Sequence, residues 1–253
     1  MEKSYTYKRT TVHVLITDLT YMKNGMCIAG VNLDNFKNIR PVLFSGHIQM
    51  PFIEKNNIFP CAICTFEGMP KINASPPHTE DFSVNDNVVF RRFISQSEWF
   101  DILRHCSSKS LPERLNSSIR EDKWITPGTD VPSLSLIEPE GRPAISSITN
   151  GTSPDIRASF ISGGREFCLK VNDKQLTDYL SNRLRLPPIN SIAEKQFISE
   201  INDELFSKDT YNYVRIGLTR PYQERCWLQI NGMYSGRSDV MIRKLTPEKN
   251  PTL

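Results

Sequence analysis

The segment that most constrains the fold is residues 211–234, where two runs of alternating residues are joined by a short polar connection. In both runs every second residue is apolar, and a period of two is typical of half-buried β-strands. We therefore predict a β-hairpin with one buried face. The residues expected to be buried are Val214, Ile216, Leu218, Leu228 and Ile230. The opposite face, expected to be wet, carries Tyr213, Arg215, Trp227, Gln229 and Asn231.

The connection within this hairpin, residues 220–225, combines arginines with an aromatic ring. Guanidinium groups pair with phosphates and planar rings stack on bases, so this composition favours nucleic-acid binding. The alternative is a tip that docks on the rest of the protein, with Trp227 as a plug between two domains. Arg40 and Arg92, on predicted strands of the first half, are further basic candidates. The candidate nucleic-acid-binding residues are Arg40, Arg92, Tyr213, Arg215, Arg220, Tyr222, Arg225 and Trp227.

The composition also points to a β-rich protein. Among 253 residues there are 17 prolines and 12 glycines, and the apolar runs are short, which predicts many strands and loops rather than a helical bundle. Lysine and arginine together number 31, against 28 aspartates and glutamates. Because the overall charge is nearly balanced, a nucleic-acid site must be a local basic patch.

Cysteine usage and missing signatures bound the function further. The six cysteines are scattered through mainly apolar runs, as is usual for buried thiols in a reducing compartment. Cys61 and Cys64 form a CxxC with no second pair nearby, so no metal site is expected. The phosphate-binding loop and dinucleotide fingerprint are missing, so no cofactor is expected. Without an apolar span or signal peptide, we expect a cytoplasmic protein that makes no membrane contact.

Short strand-like runs divide into two sets. Five runs with irregular connections, followed by a helix over residues 95–106 that Ser97 can cap, predict a small Greek-key barrel. A second set precedes two helical segments and the hairpin described above. The first set is residues 11–20, 26–32, 39–44, 58–66 and 85–93. The second is 133–137, 156–162 and 166–172, with helices over 175–186 and 192–206.

The predicted fold is therefore mainly β, with helical insertions and two small barrels in tandem. Residues 1–110 are assigned to the first barrel and its helix, and 134–253 to the second barrel with its helical insertion. The Ser- and Pro-rich residues 111–133 are interpreted as a linker. Residues 1–10 are expected to form a frayed or ligand-contacting arm, and 235–253 a polar tail.

The densest group of titratable side chains is His78, Glu80 and Asp81. An acid pair beside an imidazole is suited to acid–base catalysis or to metal-assisted hydrolysis, which makes a nuclease or nucleotide-handling enzyme the alternative function. The competing interpretation is a turn in which Glu80 pairs with a nearby arginine. For Arg40, contact with a phosphate and an ion pair with Asp18 or Asp34 are weighed evenly.

Several short motifs resemble those of a prokaryotic family, the dual OB-containing domain. They are Cys27-Ile-Ala-Gly30, then Ile39-Arg-Pro-Val42 nine residues after Gly30, the polar segment of residues 77–81, and the closing stretches RIGLTRPY and CWLQINGMY. The resemblance covers residues 12–234. It implies that the two small barrels are OB-like and bind nucleic acid, often in systems that act on foreign DNA or RNA.

On this basis we expect a nucleic-acid-binding protein of OB type without chemistry of its own. Its ligand would be single-stranded or structured DNA or RNA, and a protein partner in a larger, defence-related assembly would supply catalysis. A third hypothesis is a protein–protein adaptor, because small barrels also serve that role and fold alone does not decide function.

Overall fold

The structure is a computed structural model that describes residues 9–71, 74–149, 155–183, 192–206 and 210–236. The predicted N-terminal arm and C-terminal tail lie almost entirely outside these residues. The loop expected between the two predicted helices of the second half also lies outside them.

The first half is a closed five-stranded barrel with the strand order β1-β2-β3-β5-β4. β3 and β5 pair in parallel, and the other neighbours pair antiparallel. Closure pairs both sheet edges and encloses a core that includes Val14, Ile28 and Phe66. The elements are β1(Thr10–Met22), β2(Gly25–Asn32), β3(Lys37–Leu43), α1(Met50–Lys55), β4(Ala62–Pro70) and β5(Asp81–Phe93).

The second half consists of two sheets with helices packed around one core. One sheet has the order β6-β12-β11-β7 and the other β10-β9-β8. The elements are α2(Gln96–Cys106), α3(Leu111–Arg114), β6(Trp124–Ile125), β7(Leu134–Ile137), β8(Ala144–Thr149), β9(Asp155–Ser162), β10(Arg165–Lys170), α4(Lys174–Arg183), α5(Ile192–Leu205), β11(Asn212–Leu218) and β12(Cys226–Ser235).

The mainly β fold with helical insertions and OB-like halves is confirmed, with differences in detail. β8 occupies a segment that the sequence predicts in part as a loop, because its serines hide the apolar pattern. α5 covers this strand, and the side-chain amide of Asn202 in α5 accepts from the Ile145 N–H and donates to the Ile145 C=O. Ser95 rather than Ser97 caps α2, in a capping box with Glu98. Within the described residues no helix is both long and apolar enough to cross a membrane.

Residues 111–133 are folded into the second half and do not form a free connection. Leu111, Leu115, Ile125 and Val131 are buried in the core of the second half, and β6 pairs with β12. The helix α2, assigned to the first barrel, also contributes Trp99 to that core. Serine and proline are typical of a linker, but the buried apolar residues between them anchor this stretch.

The two halves meet where the β11–β12 hairpin lies against β1 and β3. Every residue of β11 is buried, because β11 is paired on both sides and its outer face packs on the first barrel. The five apolar hairpin residues are buried as predicted. The prediction of a wet opposite face is wrong for Tyr213, Arg215 and Asn231, which are 0%, 0% and 4% exposed. That face is polar because it meets polar groups of the other half.

Candidate nucleic-acid interface

The tip of the β11–β12 hairpin closes in a two-residue turn. Tyr222 and Arg225 exchange both backbone hydrogen bonds, with N···O distances of 2.9 and 3.1 Å. Gln223 and Glu224 between them have positive φ angles of 50° and 57°, as the type I′ turn of tight hairpins requires. Directly opposed residues of a ladder place their side chains on one face. The turn therefore holds the Tyr222 ring and the Arg225 guanidinium side by side.

The Arg225 guanidinium lies over two indole rings. Its Cζ is 4.7 Å from the centre of the Trp124 ring and 5.5 Å from that of Trp227. The two tryptophans oppose each other across the β6–β12 pair, and both are partly exposed. Beside them the Tyr222 side chain is 65% exposed. We call this region the tip surface, made of Lys123, Trp124, Arg220, Tyr222, Arg225 and Trp227.

Charges of both signs occur on and around the tip surface. The side chain of Lys123 is exposed. Its backbone carbonyl accepts a hydrogen bond from the Leu228 N–H of β12 at 2.7 Å, which fixes its position beside the hairpin. The exposed Glu121 and Glu224 offset part of the positive charge. The excess of basic groups is small, so ring stacking rather than phosphate attraction must supply most of the affinity of any polyanion bound here.

Three of the eight predicted binding residues are buried and inaccessible to a ligand. Arg215 places its Nε 3.2 Å from Asp18 and donates from Nη2 to Thr17 at 3.0 Å. The Tyr213 ring stacks on Phe100 of α2, with ring centres 6.2 Å apart. Arg40, 7% exposed, is likewise engaged inside the protein. These residues join elements of the fold, which corrects the expected wet face for Tyr213 and Arg215. For Arg40 the structure shows an ion pair, with Asp81 as the partner and not Asp18 or Asp34.

Arg92 is exposed but lies apart from the tip surface. It ends β5, and its two Nη atoms donate to the Glu98 carboxylate at 3.1 and 2.7 Å. Glu98 lies in the first turn of α2, which packs through Trp99 against Tyr234 near the base of the hairpin. Arg92 is therefore paired with a carboxylate away from the hairpin connection. Arg220, Tyr222, Arg225 and Trp227 lie in or beside that connection, where Arg220 is itself paired with Asp81.

The group His78, Glu80 and Asp81 forms part of an ion-pair network between the two halves. Arg40 donates to Asp81 Oδ1 at 2.9 Å, and Arg220 donates to Asp81 Oδ2 at 2.6 Å. Glu80 accepts from the Ser133 hydroxyl at 2.8 Å and from the Leu134 N–H at 3.2 Å. Among the described residues no group of three His, Cys, Asp or Glu side chains could hold a metal ion.

His78 is neutral within this network. Its Nε2 lies 3.1 Å from the Thr219 carbonyl and its Nδ1 lies 3.4 Å from Arg40 Nη1, so the tautomer that fits donates from Nε2 and accepts at Nδ1. Burial, reinforced by the charges of Arg220 and Arg40, lowers the pKa of His78 to about 4. Burial opposes ionisation of Asp81, but Arg40 and Arg220 outweigh it and hold its pKa below the usual value.

Acidification is expected to destabilise the protein through His78. Because its pKa is lower in the folded state than the 6.5 of a free histidine, the unfolded chain takes up the proton first, and stability falls as pH drops below about 6.5. Unfolding in urea should show a loss of about 2 kcal/mol between about pH 7.5 and pH 5. The variant His78→Gln should lose this dependence, while the exposed His47→Gln should keep it. If the free energy of unfolding depended equally on pH in both variants, His78 would not be the group responsible.

Comparison with solved structures finds distant matches over most of the chain. The Ifi202 HINa domain in complex with a 20-base-pair double-stranded DNA is 10% identical with a TM-score of 0.34, covering 90% of this chain and 95% of that one. A murine DNA-binding protein bound to double-stranded DNA is 8% identical, with a TM-score of 0.33 and coverage of 90% and 97%. The p204 HINb domain is 11% identical, with a TM-score of 0.36 and coverage of 88% and 97%.

No curated protein matches the sequence. The model of one family, the dual OB-containing domain, matches residues 12–233. The match begins at the third residue of β1 and ends at the third-last residue of β12. The matched segment includes both halves and the whole tip surface. The chain belongs to the dual OB-containing domain family.

Proposed function

We propose that the protein binds nucleic acid through the tip surface. The observation that carries the proposal is the cluster in which Arg225 lies over the Trp124 and Trp227 rings beside the exposed Tyr222. Partly exposed rings held by two paired strands and a tight turn are a rigid platform for bases. Base–ring stacking is worth about 1–3 kcal/mol per base and tolerates any sequence.

Single-stranded nucleic acid fits this surface best. Bases within a duplex are already stacked on one another, so their faces reach protein rings only when the strand is open. Arg220 and Arg225 supply local positive charge for the backbone, but the neighbouring glutamates keep the excess small. The proposal therefore gives moderate salt dependence and little sequence preference.

The same proposal makes the chain a non-catalytic subunit of a larger assembly. His78, Glu80 and Asp81 are engaged with arginines, a hydroxyl and backbone groups, which suits a joint between halves more than acid–base chemistry. The family resemblance supports a prokaryotic cytoplasmic system that acts on foreign nucleic acid, with a protein partner supplying catalysis. Co-purification of a tagged chain from its native cell tests this part.

The binding proposal is tested by fluorescence anisotropy of labelled single- and double-stranded oligonucleotides across a salt series. The wild type should prefer the single strand. The variant Arg220→Ala/Arg225→Ala should bind about tenfold more weakly, and its plot of log K against log salt should be shallower by about 1.4, since each single-strand phosphate contact contributes about 0.7.

Arg114→Ala/Arg157→Ala is the matched control, because both arginines are exposed and lie outside the tip surface. It should bind as the wild type does. The proposal fails if the wild type shows no binding below about 10 µM at low salt, where even non-specific binding is strengthened. Urea unfolding of each variant separates loss of binding from loss of fold.

A further inference from the structure

Three cations contact one buried carboxylate at the seam between the two halves. Arg40 Nη1 is 2.9 Å from Asp81 Oδ1, while Arg220 Nη2 and Lys71 Nζ are 2.6 and 3.5 Å from Asp81 Oδ2. Lys71 is fixed there by its backbone N–H, which donates to the Asp81 carbonyl at 3.0 Å. Even when the adjacent Glu80 is counted, the cluster has three positive groups for two carboxylates. One positive charge is therefore left over.

The surplus charge lies on the outer side of the seam. The side chains of Arg40 and Asp81 are 8% and 1% exposed, whereas those of Lys71 and Arg220 are 43% and 47% exposed. Arg40 thus holds the carboxylate from within the protein. Lys71 Nζ and Arg220 Nη2 approach the same oxygen, so the distance between them is no larger than the sum of their distances to it. The seam therefore presents two adjacent, half-exposed cations to solvent.

This pair of cations fits a phosphodiester. A phosphodiester carries one negative charge on two free oxygens, so it can contact both cations while Arg40 retains Asp81. A guanidinium has five N–H donors in a planar fork, and the half-exposed Arg220 keeps donors for a ligand while its Nη2 bonds Asp81. Lysine adds a compact charge that contacts phosphate from a second direction.

We propose that one phosphodiester of the bound strand sits on Lys71 and Arg220, so that the nucleic acid crosses the seam and contacts both halves. The inference rests on the proposed function and names the phosphate anchor of that same surface. Arg220 is two positions before Tyr222, so a strand anchored at the seam continues directly onto the rings of the tip surface. The anchor joins Lys71, which directly follows β4 of the first barrel, to the hairpin of the second half.

The inference is tested by a double-mutant cycle on binding of a labelled oligothymidylate, measured by anisotropy across a salt series. Lys71→Ala should weaken binding several-fold and make the salt dependence shallower by about 0.7. Lys55→Ala, an exposed lysine at the end of α1, is the control and should have no effect. If both cations hold one phosphate, Lys71→Ala should matter less in an Arg220→Ala background, but should keep its full effect in a Trp227→Ala background.

The outcomes separate the phosphate contact at Lys71 and Arg220 from the proposed binding of nucleic acid by the tip surface. A wild type that binds, with Lys71→Ala indistinguishable from Lys55→Ala, overturns the seam anchor and leaves the proposed function standing. Full additivity of Lys71→Ala with Arg220→Ala also overturns it, because the two cations then act on separate phosphates. A wild type that binds no oligonucleotide overturns the proposed function and the anchor with it. Lys71→Met keeps most of the apolar stem and removes the charge, so it should show the same shallower salt dependence as Lys71→Ala, which a purely structural role of the Lys71 stem would not produce.

Discussion

Replacing Arg215 with methionine is expected to lower the free energy of unfolding by about 3–5 kcal/mol, the usual loss when one partner of a buried ion pair is removed. Arg215 is 0% exposed and its Nε lies 3.2 Å from the Asp18 carboxylate, whose side chain is 1% exposed. Methionine fills a similar volume but leaves that carboxylate without its cation. It also removes the donors to Asn38 at 2.5 Å and to Thr17 at 3.0 Å, which tie β11 to the first barrel.

Urea unfolding of Arg215→Met and of Arg157→Met measures this effect against an exposed arginine. The control substitution should change stability by less than about 0.5 kcal/mol. The double variant Asp18→Asn/Arg215→Met should recover part of the loss, because it removes the uncompensated charge as well. Equal stability of the Arg215→Met and Arg157→Met proteins would show that the ion pair does not hold the two halves together.

The deficit of Arg215→Met should also depend on pH. Burial raises the pKa of Asp18 even though Arg215 opposes it, so removing Arg215 raises that pKa further. A carboxyl group whose pKa is raised in the folded state lowers the stability of the protein at high pH, where the buried group is ionised. This loss of stability disappears as the pH falls and the group binds a proton. The difference between Arg215→Met and wild type should therefore be larger at alkaline than at acidic pH. The contribution of His78 is common to both proteins and cancels.

The hairpin shows how far alternation alone predicts the fold. The period of two correctly assigned both strands and the burial of Val214, Ile216 and Leu218. It could not distinguish solvent from a second protein surface, because the face that carries Arg215 is polar in either case. The sequence does contain one relevant signal: Asp18 stands within the apolar β1 and needs a cation if buried. Which arginine it meets depends on packing between residues about two hundred positions apart, which no local pattern encodes.

The candidate site was predicted in part, for similar reasons. The composition identifies Arg220, Tyr222 and Arg225 because they are neighbours in the sequence, and in the structure Arg220 and Tyr222 are exposed and Arg225 is half-buried. Trp124 was assigned to a linker, since a two-residue strand leaves no periodic signal, and its pairing with Trp227 exists only in the folded sheet. Lys71 gave no signal at all, because its significance depends on a contact with Asp81 across a strand pair.

Removing two rings from the tip surface is expected to have the largest effect on binding. The Tyr222→Ala/Trp227→Ala variant should bind a single-stranded oligonucleotide about 30-fold more weakly or worse, because each lost base–ring contact is worth about 1–3 kcal/mol. Its salt dependence should stay close to that of the wild type, since neither residue is charged. Loss of affinity at unchanged salt dependence distinguishes stacking from the phosphate contacts of Arg220 and Arg225.

The matched control is Phe44→Ala/Tyr211→Ala, which removes two aromatic rings that are 52% and 53% exposed and lie outside the tip surface. It should bind as the wild type does. Trp227→Phe retains a ring on the same strand and should recover much of the affinity, whereas a merely structural role for Trp227 would show as a loss of stability in urea. If the control weakens binding as much as Tyr222→Ala/Trp227→Ala, the rings at the tip are not the platform. Binding would then be spread over the exposed surface, and the tip surface would lose its place as the site.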